Sequence, residues 1–135
     1  MNKTEMRIER DFYSFVKTSN LGMAVKGDVY RSEMRPPEAV TEDLVVKFLA
    51  GVDGQFQSGV IIINIYVPDV FTNEGVPVAD KRRIGELQEL LYSFIEDNQD
   101  TEYLIYLDGT PQTMRSEGLN QHFIYSRLKF RTITF

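Results

Sequence analysis

Gly59-Val60-Ile61-Ile62-Ile63-Asn64-Ile65-Tyr66-Val67-Pro68 is the stretch on which the reading of this chain turns. Six of the eight residues from Val60 to Val67 are β-branched aliphatics, a density that favours a strand buried on both faces. Alternation places Ile61, Ile63, Ile65 and Val67 on one face and Val60, Ile62, Asn64 and Tyr66 on the other. The first face is wholly apolar and is expected beneath helices. The second carries an amide and a phenol, and is expected to meet a thinner layer, a partner subunit or a lumen. Pro68 has no N–H to give to a ladder and should end the pairing.

Upstream, Thr4 is placed to cap an amphipathic helix in which Ile8, Phe12, Phe15 and Val16 share one face. Asn20 and Gly22 mark its end, and Met23 to Arg31 reads as a first strand bent at Gly27-Asp28. Arg35-Pro36-Pro37 excludes helix interior, so residues 32–41 form an extended connection to a second strand at Leu44 to Leu49. Gly51-Val52-Asp53-Gly54 then turns a hairpin into the long strand, Gln55 to Val67, which makes the first three strands a meander. Downstream, residues 69–79 contain Asn73, Gly75 and Pro77 and read as an aperiodic loop. Asp80 caps a second helix with a stripe of Ile84, Leu87, Leu91, Phe94 and Ile95, while Glu86, Glu89 and Glu96 face water.

Thr101 to Leu107 reads as a fourth strand and residues 108–118 as a projecting loop. The last strand starts near Leu119, with Ile124, Leu128 and Phe130 alternating against Tyr125, Arg127 and Lys129. Ile133 and Phe135 fall on the opposite parity, which a bulge near Arg131 would correct. The predicted order is α-β-β-β-α-β-β: an α+β two-layer sandwich with about five mainly antiparallel strands and two helices on one face. It forms a single domain over residues 1–135.

A chain of 135 residues suits one domain. With no cysteine, disulfides, thiolate metal sites and cysteine nucleophiles are excluded. Fifteen Lys and Arg against twenty Asp and Glu give a net charge of −5, opposite to the footprint of a nucleic-acid binder. The longest apolar run falls short of the ~20 residues of a membrane helix, and the N-terminus is charged where a signal peptide is apolar. A soluble, unprocessed, intracellular protein is expected.

Catalytic signals are sparse. The lone His122 lies in a predicted strand, with Glu117 its nearest acid in sequence, and reads as an ordinary strand histidine, hydrogen-bonded or solvated. Glu42-Asp43 has the chemistry of a cation ligand or half a carboxylate pair, although a solvated strand start is the preferred reading. No Gly-rich phosphate loop, HExxH or GxSxG pattern occurs, so no enzyme activity, cofactor or metal is expected. Charge is segregated: no acid follows Glu117, whereas residues 80–102 hold seven acids against three bases. These are ordinary wet faces, or an acidic and a basic region that meet heterologously between copies.

Val29-Tyr30-Arg31, Arg35-Pro36, Glu42-Asp43-Leu44-Val45-Val46, Gly59 to Pro68 and the terminal run His122 to Phe130, in that order, give the chain its likeness to a known family. It resembles the small tail-completion or tail-terminator proteins of long-tailed phages, including versions carried in prophages of Bacteroides-type bacteria. The resemblance implies a homomeric ring, typically hexameric, on the end of the tail tube, where it stops tube polymerisation and presents a surface to the head connector. The implied partners are further copies of itself, the tail-tube protein and the head-connector protein, with no membrane and no direct sequence-specific nucleic-acid binding. The implied location is the virion tail or neck, and the host cytoplasm before assembly.

From the residues themselves, the assembly interface is expected to use Tyr66, Phe71 and Met114 as apolar anchors. Arg127, Lys129 and Arg131 are expected on one patch and Glu96, Asp97, Asp100 and Glu102 on the other. The alternative is a non-catalytic bacterial accessory module that holds a protein or small ligand against the mixed sheet face. A third reading is an enzyme assembled from scattered polar residues.

Overall fold

Ile61, Ile63 and Ile65 have no exposed surface and Val67 almost none, as a strand roofed by helices requires. They belong to β3 (Ser58–Pro68), the middle of a six-stranded sheet in a computed structural model that describes residues 2–98 and 102–132. Antiparallel neighbours flank it: β2 (Asp43–Val52) on one side and β8 (Gln121–Thr132) on the other. Outside β2 lies β1 (Val29–Arg31), and outside β8 lie β6 (Tyr103–Leu107) and β7 (Gln112–Arg115). Among the described residues three helices cover one face, so the fold is α+β with a mixed sheet.

The sequence forms these helices for identifiable reasons. In α1 (Glu5–Lys17) the Thr4 side chain accepts a hydrogen bond from the Arg7 N–H, and Ile8, Phe12 and Val16 are buried. In α3 (Lys81–Asp97) the Asp80 carboxylate accepts from the Arg83 N–H, and Ile84, Leu87, Leu91, Phe94 and Ile95 are all buried. Both stripes join the inward residues of β3 and β8 in one core. At its centre Phe12 packs 4.9 Å from Tyr103 and 5.5 Å from Phe130, centroid to centroid. Such ring pairs contribute about 0.5–1.5 kcal/mol each beyond area burial. The Tyr103 hydroxyl donates to Asp11 at 2.7 Å, and burial together with that carboxylate pushes the phenol far above its ordinary range. Burial works to raise Asp11, but hydrogen bonds from Tyr103 and Lys3 outweigh it and hold the carboxyl low.

Several expectations are corrected. Met23 and Ala24 are not strand: the Ser19 side chain caps a short helix, α2 (Asn20–Ala24), which buries Leu21. The first three strands are not a simple meander, because β1 runs parallel to β2. Residues 69–79 are not all loop, since β4 (Val70–Phe71) and β5 (Pro77–Val78) pair as a small ribbon. Residues 108–118 do not project; β7 folds back and pairs with β8 from His122 to Tyr125. The observed order therefore gains α2, β4, β5 and β7 over the predicted one. A register shift falls between Phe48 and Ala50 in β2, whereas the bulge expected to reorient Ile133 and Phe135 concerns residues outside the described ones. Pro68 is the last residue of β3, opposite Gln121.

Candidate functional site

Among the described residues, no helix lies on the sheet's second face. Register places Lys47, Ile62 and Arg127 abreast on β2, β3 and β8, and Val60, Lys129 and Tyr106 abreast on β3, β8 and β6. Asn64 lies beside Val45 and Tyr125, and Tyr66 beside Phe123, which pairs in turn with Met114 on β7. Ile62 is only 3% exposed despite lacking a helix above it. It sits between Lys47 and Arg127, whose methylene stems cover apolar surface while their charged ends stay wet. Part of the cover expected over this face is thus built into the chain. Asn64 Oδ1 remains buried with no hydrogen-bond partner among the described residues.

Five of the residues expected at an assembly interface, Tyr66, Met114, Arg127, Lys129 and Arg131, are gathered on this face. Asp108 shares the middle cations, 3.3 Å from Arg127 and 3.7 Å from Lys129, and Arg131 lies over the Phe56 ring at 5.6 Å. Phe71 is elsewhere, on the ribbon, where it stands 59% exposed beside Val70, Val76 and Val78. Glu96 and Asp97 are exposed at the end of α3 on the opposite side of the domain. Glu102 is engaged by Lys3 at 2.9 Å, and Asp100 lies outside the described residues.

At the start of β2, charges expected to be solvated are buried. Asp43 is 1% exposed and Glu42 5%, which corrects the reading of a wet strand start. The Arg35 guanidinium donates to Asp43 at 2.9 Å and to the carbonyl of Thr41 and the amide oxygen of Gln121, and it stacks 4.0 Å above the Tyr66 ring. Asp43 also accepts from the Asp28 N–H and the Thr41 hydroxyl. Gly27 must be glycine here, since a Cβ would stand 2.2 Å from Asp43 Oδ1. Arg83 clasps Glu42 with two bonds of 2.9 and 2.8 Å and donates to Ala24 O. Burial raises both carboxyls, but the donors around them prevail and leave each below its ordinary value. Through arginines, neighbouring N–H groups and the Thr41 hydroxyl, these acids fasten the 32–42 connection and α3 to the sheet. No metal-holding group of acids and histidines occurs among the described residues.

His122 has the orienting carboxylate that its sequence neighbourhood does not offer. Its Nδ1 lies 2.6 Å from Asp69 Oδ1, and the Asp69 side chain is 1% exposed. The pair ties β8 to the start of the ribbon. A cavity of about 420 Å³ opens nearby, lined by Lys26, Val40, Glu42, Val67, Val70 and Arg83 among others.

No family model matches the chain, and no curated protein matches it in sequence.

Proposed function

We propose that this chain is a structural protein of a phage or prophage tail, a tail terminator or head–tail joining component that caps the tail tube as a homomeric ring. The observation that carries the reading is the helix-free sheet face, where cations and aromatic rings stand together outside the core. A two-layer domain with one layer missing on that side is suited to packing against another subunit. The sequence resemblance to tail-completion proteins supplies the biological setting. The buried acids and His122 are consumed in holding strands and connections together, which suits a building block.

The test is electron microscopy of tails assembled without the protein and with it restored. Overlong tubes or headless tails that revert on restoration are the expected result. Uniform tails of normal length without the protein would overturn the reading. The cavity beside the ribbon favours a second reading, an accessory module that binds a small ligand. A saturable thermal shift with a small ligand, abolished by Val70→Trp, would favour that module.

A further inference from the structure

The helix-free sheet face and the outer face of α3 are complementary, and we propose that the first docks onto the second in another copy of this chain. The sheet of one copy would then lie on the helix layer of the next. On the sheet side stand Lys47, Arg127, Lys129 and Arg131. The last three alternate along β8 about 6.8 Å apart, and Lys47 and Arg127 flank Ile62. Among the described residues Asp108 is the one carboxylate that pairs with this row, so the patch stays positive. Tyr106, half exposed, is in register with Lys129.

On the helix side Glu89, Tyr92 and Glu96 follow at i, i+3 and i+7, which aligns them on one side of α3, opposite the buried Leu87, Leu91 and Phe94. Tyr92 is 42% exposed, and Asp97 stands next to Glu96. Glu86 is held by Arg82 and Arg83, but Glu89, Glu96 and Asp97 have no ion-pair partner among the described residues, and no lysine or arginine follows Arg83 within the helix. The charge opposition thus comes with an aromatic ring on each side, an arrangement open to cation–π contact.

A second observation points the same way. Glu96 and Asp97 occupy the last turn of α3, where the helix carbonyls already present negative charge. In α1 the preference is obeyed, with Glu5 in the first turn and Lys17 in the last. Local helix stability therefore does not account for the acids of α3, whereas a basic surface from a neighbour does. The chain's net charge does not cancel the patch, since charges on the far layer are screened over about 8–10 Å at ordinary ionic strength.

Because the two patches differ, the contact is heterologous and either closes into a ring or continues as a stack. Its biological role rests on the tail reading; the contact itself does not. Sedimentation velocity at about 50 mM salt should show self-association that weakens at least about tenfold at 0.5 M. Arg127→Glu with Lys129→Glu, and separately Glu89→Lys with Glu96→Lys, should each weaken it by at least about tenfold, and an equimolar mixture of the two should restore it. A wild-type chain that stays monomeric at about millimolar concentration would overturn the proposal. So would variants that associate normally, or a mixture that does not recover. Binding of an oligo-dT probe, lost in the first variant and unaccompanied by self-association, would assign the face to nucleic acid instead. If a variant fails to fold by circular dichroism, Tyr92→Ala and the salt titration of the wild type decide. Uniform tails from a non-associating variant would refute the role while the contact stood.

Discussion

Ile63→Ala tests the architecture at its centre. The substitution removes three carbons from a side chain with no exposed surface, and at about 0.8 kcal/mol per buried methylene the transfer loss alone is about 2.4 kcal/mol. The cavity beneath the helices cannot collapse freely, because Leu87, Leu91 and Phe94 are held by α3 in the same core, so the total should reach about 3–4 kcal/mol. Ile62→Ala is the control. It deletes the same carbons from a residue 3% exposed on the helix-free face, where flexible Lys47 and Arg127 stems and water can fill the gap. Its cost should stay near the transfer loss alone, about 2 kcal/mol. Urea unfolding with unchanged m-values would measure both. Equal losses, or a near-neutral Ile63→Ala, would refute the assignment of the two faces.

Arg83→Met should cost about 3–5 kcal/mol by leaving Glu42 buried without its partner, and adding Glu42→Gln should recover part of it, both read by thermal or urea unfolding. Glu42 and Asp43 have lowered folded-state values, so the stability they contribute is complete above their unfolded values near about 4 and is lost as pH falls through the lower folded ones. An acid titration of unfolding free energy should steepen below about pH 4, and less so in the Arg83→Met, Glu42→Gln double variant. His122→Ala should cost about 1–3 kcal/mol by stranding the buried Asp69 carboxylate, while His122→Asn, whose amide nitrogen can stand where Nδ1 stood, should cost less. Gly59→Ala should lower the melting temperature markedly, because its Cβ would meet Ala50 O at 2.3 Å and the Phe130 ring at 2.8 Å; an overpacking loss of about 1–3 kcal/mol is expected.

The parity of β3 was readable because its residues alternate in kind, and the two helix stripes were readable because each begins at a side chain able to cap it, Thr4 and Asp80. Ser19 caps α2 in the same way, but a helix of five residues is too short to show a periodic stripe. The parallel placement of β1 was not readable, since the connection that carries the chain back to β2 is held by Arg35 bonds to Asp43 and to Gln121, 86 residues away. Glu42 looked solvated for a like reason: its partner Arg83 is 41 residues away. His122 and Asp69 are 53 residues apart in sequence, and only the antiparallel register of β3 with β8 makes them neighbours. Gln112 to Arg115 carries no inward apolar residue, and its four positions are exposed even as strand, so hydrophobic alternation had nothing to report. Among the interface candidates, shared parity on β8 was legible in Arg127 and Lys129; that of Arg131, where a bulge is expected, comes from the unbroken register with β3, and the company of Tyr66 and Met114 from pairing across three strands.

The position of β8 between β3 and β6 has a consequence in time. β3 can pair with β2 as a local hairpin as soon as both have been made, but its inner edge waits for a strand that arrives much later. Roughly fifty residues separate Pro68 from Gln121, and at about 5–20 residues per second their synthesis occupies about 3–10 seconds. Throughout that interval the nascent chain carries the isoleucine-rich strand with one unpaired edge, the condition in which separate chains associate by their edges. Arrival of β8 closes that edge and, because it also pairs with β6 and β7, completes the sheet.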